Sequence, residues 1–83
     1  MYRVIIQHRA RKQIARLPAD VGRHILAAIT ALGTNPRPPG CRKLTDKEQW
    51  RIKVQQDYRV IYTISDTDVL VTIVWAGNRK DAY

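Results

Sequence analysis

Three segments near the C-terminal end of the sequence constrain the fold more than any other feature. They cover residues 50–55, 58–65 and 69–76, and only "QD" and "DTD" separate them. Segments of this length that are rich in Val, Ile, Thr and aromatic residues are typical of strands, and such short connections join antiparallel neighbours. The pattern therefore predicts an antiparallel meander. Its last strand, "VLVTIVWA", is apolar on both faces and is expected to be central.

The N-terminal half predicts one strand followed by two short helices. Residues 2–7, "YRVIIQ", are rich in β-branched side chains, whereas residues 9–17 place apolar residues at helical spacing. Pro18 interrupts the first helix and suits the first turn of a second one, which is expected to run to about Leu32 with Gly33 as its stop. The two helices are predicted to form an αα-hairpin.

These elements predict an α+β fold in the order β-α-α-β-β-β, within a single domain covering residues 1–83. The connection "TNPRPPG", residues 34–40, ends the helical region and is expected to be an extended linker. A domain of this size buries only about 60% of its unfolded surface, so its core is expected to be compact.

The charge of the chain indicates an anionic partner. The formal net charge is +8, of which residues 1–41 contribute +6 (7 basic, 1 acidic) and residues 42–83 contribute +2 (8 basic, 6 acidic). Nucleic acid is the first candidate, followed by an acidic protein and a membrane surface, and composition alone does not separate them.

The chain contains no signal for export, membrane insertion or metal binding. Cys41 is the only cysteine, which excludes an intrachain disulfide, and no Cys or His spacing suggests zinc. No apolar run approaches the ~18 residues that a membrane span requires. We therefore expect a cytoplasmic protein with no metal and no cofactor.

Basic residues in the first two meander strands are expected to share one face of the sheet. Arg51 and Lys53 lie two residues apart, ~6.6 Å along a strand, and Arg59 lies early in the next strand. Opposed like charges destabilise a sheet unless an anion compensates them. The alternative is that they are ordinary solvated cations. Trp50 and Trp75 are expected to be core aromatics.

The segments "NPRPPGCRKL", "WRIKVQQDYRVIYTI" and "VWAGNRKDAY" resemble the RelE/ParE toxin superfamily of bacterial type II toxin–antitoxin modules, and the resemblance covers nearly the whole chain. It implies a RelE-like microbial RNase fold, in which a small curved antiparallel sheet packs on an N-terminal helix pair. RelE-like members cut mRNA in the ribosomal A site, whereas ParE-like members inhibit DNA gyrase.

The RelE-type catalytic set has two basic residues on the first meander strand, an Arg opening the next, an Arg after the last strand and a C-terminal Tyr. Five residues match it one by one: Arg51, Lys53, Arg59, Arg79 and Tyr83. The resemblance therefore favours a ribosome-dependent endoribonuclease, with gyrase inhibition as the alternative. A basic RNA-binding module without activity is a third interpretation.

The expected chemistry is transesterification by the 2′-OH without a metal. The only histidines, His8 and His24, lie in the predicted helices, and no set of acidic residues has metal-binding spacing. We expect Lys53 to activate the 2′-OH and the arginines to stabilise the phosphate charge. In the family, the residue at Arg79 is also proposed to protonate the leaving oxygen, and Tyr83 would position or stack on the substrate. Orientation by the ribosome would supplement this weak acid–base set.

The expected partners follow from the same resemblance. They are a cognate antitoxin that masks the site, and the ribosome with its mRNA and rRNA; no membrane is expected, and DNA only through an antitoxin complex. A basic helix stripe is either an ordinary solvated face or an rRNA backbone contact. Its residues are Arg9, Lys12 and Arg16, with Arg23 as a possible addition.

Overall fold

The computed structural model describes residues 1–82. Two helices and five strands follow one another along the chain, and a short 3₁₀ helix comes last. Their bounds are β1 Arg3–Ile6, α1 His8–Ala15, α2 Ala19–Thr34, β2 Arg42–Lys43, β3 Trp50–Val54, β4 Tyr58–Ser65, β5 Leu70–Asn78 and the 3₁₀ helix Arg79–Asp81. The predicted α+β class and element order are confirmed, with β2 as one additional strand.

All five strands form one sheet in the spatial order β1-β5-β4-β3-β2. The meander β3-β4-β5 is antiparallel as predicted, and β5 is central because β1 and β4 flank it. The sheet as a whole is mixed, because β1 pairs with β5 in parallel. The parallel pairing needs a long connection between the two strands, because a short turn can join only antiparallel neighbours. The helix pair begins this connection and carries the chain back across the sheet before the meander.

Both helices end close to their predicted positions, with one difference at Gly33. α1 ends at Ala15 because the residue before Pro18 is pushed out of the helical region. α2 continues through Gly33 to Thr34, so Gly33 is not a helix stop. A Cβ on this glycine would lie 3.1 Å from the Tyr2 carbonyl oxygen, which shows that Gly33 instead allows close approach of α2 to β1.

The hydrophobic core lies between the helices and one face of the sheet. Its fully buried side chains include Ile25 and Leu32 from α2, Val60 and Tyr62 from β4, and Ile73 from β5. The Tyr62 hydroxyl donates to the Pro36 carbonyl oxygen at 2.7 Å, which ties the proline-rich linker to the core. Burial raises the pKa of Tyr62 well above its ordinary value.

A β-bulge in β5 changes which face its side chains occupy. Ile61 pairs with Trp75 and Tyr62 pairs with Ile73, so Val74 is an extra residue. Ile73 and Ala76 therefore both point into the core, although strict alternation would place only one of them there. The prediction that Trp75 is a core aromatic is wrong, because the bulge turns it to the other face. Trp50 does pack against the core.

The end of β1 leaves part of β5 without a neighbouring strand, and α1 compensates for this. β1 pairs with β5 only as far as Ile73. Beyond that point, the Gln13 side-chain oxygen accepts a hydrogen bond from the Ala76 backbone N–H at 3.0 Å. Because an unpaired buried N–H is costly, this contact fixes α1 against β5. Neither helix within residues 1–82 is long and apolar enough to cross a membrane.

Candidate functional site

The sheet face turned away from the helices, called the open face below, carries the basic residues that alternation predicts. Lys53 pairs directly with Arg59 across β3 and β4. Arg51 shares their face, and Arg42 of β2 lies directly opposite it. The open face therefore brings together the predicted Arg51, Lys53 and Arg59, and it adds Arg42, which was not predicted. Arg42 was missed because its two-residue strand has no local pattern.

Arg59 has a structural function in addition to its charge. The residue is 7% exposed, and its NH1 group donates to the carbonyl oxygens of Gln56 and Tyr58, the latter at 2.9 Å. The turn that it contacts is unusual, because Gln55 and Gln56 both have positive φ angles, of 49° and 59°. Non-glycine residues rarely adopt this conformation. Arg59 therefore stabilises the β3–β4 turn, and its guanidinium is held rigidly beside Lys53.

Lys53 and Arg51 are two cations of the open face that have donors without a partner among residues 1–82. Lys53 is exposed and forms no ion pair within the described part of the chain. The NH1 atom of Arg51 is buried and has no hydrogen-bond partner among residues 1–82. A buried donor without an acceptor is unfavourable, and because this atom is buried a ligand on the open face would bond it only after the side chain moves.

Arg79 lies at the same end of the sheet as the β3–β4 turn. Its backbone N–H donates to the Asp57 carbonyl oxygen at 2.8 Å, which joins the 3₁₀ helix to the turn. Its side-chain Nε lies 3.9 Å from Asp57 Oδ1, beyond hydrogen-bond distance. The Arg79 side chain is 57% exposed, so this weak contact leaves it available to a ligand. Tyr83, the fifth predicted residue, lies outside the described residues.

The predicted helix stripe is exposed but not uniform in its surroundings. Arg9 and Lys12 lie on α1, Arg16 caps its C-terminal end, and Arg23 lies on α2. All four are exposed. Among them, Arg9 lines a cleft that also contains Trp75.

This cleft, called the Trp75 cleft below, has a volume of about 420 Å³. Its floor contains Ile61 and Trp75, and its sides come from the start of α1, the loop before β3 and the C-terminal tail. The remaining lining residues are Gln7, Arg9, Lys47, Gln49, Val74 and Ala82. A second lobe of about 320 Å³ shares several of these residues and adds Asp46. The glycine two residues after Trp75 was a sequence signal for this site, because Gly in a strand often marks a bulge or close packing.

A larger cavity lies on a different part of the surface. It has a volume of about 620 Å³ and is lined mainly by apolar atoms of α2, the proline-rich linker and Ile52, with Lys53 at its rim. Beside it, β3 beyond Arg51 has no partner strand on its outer side among residues 1–82, because β2 pairs only with Trp50 and Arg51. The groove thus combines apolar surface with a free strand edge.

The open face can stabilise negative charge but offers little conventional acid–base chemistry. Within residues 1–82, no three His, Cys, Asp or Glu side chains cluster as metal ligands would. Arginine remains protonated at neutral pH and binds phosphate through several donors, whereas lysine can act as a base when nearby cations lower its pKa. The arrangement therefore suits a phosphodiester whose developing charge must be stabilised.

Several solved structures with the same fold contain toxins. The RelE–RelB complex of the archaeon Pyrococcus horikoshii OT3 is 29% identical, with a TM-score of 0.83 and 98% of each chain covered. The intact Escherichia coli RelBE toxin–antitoxin complex is 24% identical, with a TM-score of 0.81, and the match covers 94% of this chain and 96% of that one. A YoeB/ParE toxin from Agrobacterium tumefaciens is 13% identical, with a TM-score of 0.78, and coverage is 93% and 98%. These last two similarities concern the fold alone.

No curated protein sequence matches the chain significantly. The family model described as "ParE toxin of type II toxin-antitoxin system, parDE" matches residues 4–83. This match extends from β1 through the C-terminal tail and includes every strand of the open face. The chain belongs to the ParE toxin family of type II toxin–antitoxin systems, within the RelE/ParE superfamily.

Proposed function

We propose that the protein is a ribosome-dependent endoribonuclease that cuts mRNA in the A site and thereby inhibits translation. The observation that carries this proposal is the direct pairing of Lys53 with Arg59 on the open face, with the partnerless Arg51 donor on the same face. Several basic side chains on one face of the sheet suit a polyanionic substrate such as RNA.

The proposed reaction divides its tasks among these residues. Lys53 takes the proton of the 2′-OH, which then attacks the adjacent phosphorus, and the bond to the 5′ oxygen breaks to leave a 2′,3′-cyclic phosphate. Arg51 and Arg59 stabilise the charge that develops on the phosphate oxygens. Arg79 donates a proton to the leaving 5′ oxygen, and Tyr83 positions the substrate. The ribosome orients the message, which contributes what the weak base lacks.

We also propose that a cognate antitoxin inhibits this protein by direct binding. The Pyrococcus horikoshii and Escherichia coli structures both contain a toxin with its antitoxin. On this chain, the apolar groove beside the free edge of β3 fits an amphipathic segment that adds a strand, and Lys53 lies at its rim. An antitoxin bound there would exclude mRNA from Lys53.

Gyrase inhibition remains the second candidate, and two observations favour it. The matching family model carries the ParE name, and the NH1 group of Arg59 already donates to two turn carbonyl oxygens. A nuclease phosphate clamp would have fewer free donors here than the sequence suggests.

Two assays on the purified full-length protein separate these functions. Ribosomes programmed with a message and an empty A site are incubated with the protein, and new RNA ends are mapped by primer extension. In parallel, DNA gyrase supercoiling is measured. Cleavage confined to the A-site codon, with supercoiling unaffected, supports the nuclease. An intact message together with inhibited supercoiling would assign the protein to the second function.

A further inference from the structure

We propose that Trp75 is a base-stacking platform, which binds one nucleotide of single-stranded RNA in the Trp75 cleft. The cleft lies beside the basic residues of the open face, Arg51, Lys53 and Arg59. The inference rests on the proposed function only in identifying the strand as mRNA. Trp75 belongs to neither the predicted catalytic set nor the core cluster. It is a large, partly exposed aromatic side chain that a bulge places on the open face rather than in the core.

The indole ring is held in a fixed orientation on the sheet. A Cβ built on Gly77 would lie 3.0 Å from Cη2 and 3.1 Å from Cζ2 of Trp75. The ring therefore extends along β5 over the Gly77 backbone, where no side chain displaces it. Gly77 pairs directly with Arg59. The indole ring thus points toward the residues proposed to bind the phosphate. A nucleotide next to the stacked one would be within reach of those residues.

The surroundings of the ring match the chemistry of a nucleotide. Arg9 and Lys47 line the cleft, and neither forms an ion pair with another residue in the described range 1–82. The side-chain amides of Gln7 and Gln49 supply both donors and acceptors. A base stacked on the indole could bond these amides at its edge, while flanking phosphates meet the two cations.

The charge of the cleft favours this occupant over an acidic peptide or an apolar ligand. The charged residues that line the cleft are the cations Arg9 and Lys47, and Asp46 lines only the adjoining lobe. A nucleotide presents an aromatic base and a charged phosphate, which match the Trp75 ring and the two cations. The volume of about 420 Å³ lies within the range of roughly 300–1,000 Å³ that is common for small-molecule sites.

The experiment measures binding rather than cleavage, so that it is independent of the catalytic residues. Full-length protein is titrated with a fluorescent hexaribonucleotide and with a strand of equal length and charge that lacks its central bases. Anisotropy gives both Kd values. The wild type is expected to prefer the base-containing strand by about 5- to 100-fold, the usual range for stacking on one aromatic side chain.

Two variants separate stacking from packing. Trp75→Leu keeps an apolar side chain but removes the ring, and it should bind both strands equally. Trp75→Phe loses a similar volume but keeps a ring, and it should retain part of the preference. Trp50→Phe is the control, because Trp50 lies on the core face, and its preference should match the wild type. Thermal melting verifies that each variant is folded.

The outcomes also separate this inference from the proposed nuclease. Base-dependent binding that Trp75→Leu abolishes, in a protein that leaves ribosome-bound mRNA intact, would sustain the platform and reject the nuclease. A wild type with equal affinity for both strands would overturn the inference, and so would a Trp75→Leu variant that keeps the full preference. If both Kd values rise with salt while their ratio stays constant, the phosphate contacts belong to the cations and the base preference to the ring.

Discussion

The two faces of the sheet differ in what their side chains contribute. The core face buries Val60, Tyr62 and Ile73 completely against the helices. The open face holds a row of basic residues, and one of their donors has no partner within residues 1–82. Opposed cations destabilise a sheet, so the core face must supply the stability that the open face reduces. Substitutions on one face should therefore change stability, and those on the other should change activity.

The largest expected effect is a loss of activity without a loss of stability, caused by a substitution on the open face. Lys53→Met removes the proposed base and keeps the aliphatic chain, and it should lower A-site cleavage by about 10²- to 10⁴-fold. Its stability should remain within about 0.5 kcal/mol of the wild type, because the side chain is exposed. Primer extension measures cleavage and urea denaturation measures stability.

The matched control for Lys53 is Arg3→Met, since Arg3 also lies exposed on the open face but is separated from β3 by two strands. Cleavage by this variant should be unchanged. Equal losses in the two variants would mean that net charge, and not position, supports the activity.

A substitution in the core should instead lower the free energy of unfolding. Ile73→Ala removes a fully buried side chain from β5 and should cost about 2–5 kcal/mol of unfolding free energy. Ile5→Ala, on the open face of neighbouring β1, is the control, because Ile5 is 46% exposed and should lose less than about 1 kcal/mol. Urea denaturation at one pH compares them. Similar losses would contradict the division between the two faces.

Two glycines of α2 sharpen the comparison within the core face. Gly33→Ala should destabilise the protein by about 1–3 kcal/mol, because its Cβ would meet the Tyr2 backbone oxygen at 3.1 Å. Gly22→Ala should instead stabilise it by up to about 1 kcal/mol, because the nearest atom would lie 3.8 Å away and alanine favours helix. Thermal melting gives both shifts, and a Gly33→Ala variant as stable as wild type would exclude the close approach.

The smallest effect is a loss of stability in alkali that depends on Tyr62. Burial raises its folded-state pKa, so the folded state holds the phenol proton more tightly than the unfolded state, whose tyrosines titrate near pH ~10. This contribution is complete below that pH and is lost as the pH rises above it. The urea concentration at the midpoint of unfolding should decrease as the pH rises from 9 to 11.

Tyr62→Phe is the test of the source of that alkaline loss. The variant should be less stable at pH 8 by about 1 kcal/mol, because the Pro36 carbonyl oxygen loses its donor. Its stability should then decline less between pH 9 and pH 11. A decline as steep as that of the wild type would assign the alkaline loss to other groups.

Local patterns predicted the elements and the row of basic residues well. Residues two apart in β3 and β4 point to the same face whatever else surrounds them, so Arg51, Lys53 and Arg59 were placed together correctly. The same local logic failed at Gly33 and at Trp75. In both cases a contact between distant segments decides the position, and the spacing of apolar residues along the chain does not report it; only Gly77 gave a local sign, near Trp75.

The sequence by itself determined the order of helices and strands, the apolar alternation of the meander and the shared face of its cations, because these depend on neighbours along the chain. Only the tertiary structure decided that β1 runs parallel to β5, that Arg59 closes the β3–β4 turn, and that Val74 is an extra residue. These features depend on pairing between distant segments. A single unpaired residue reverses the alternation after it, and this is why Trp75 lies on the open face rather than in the core.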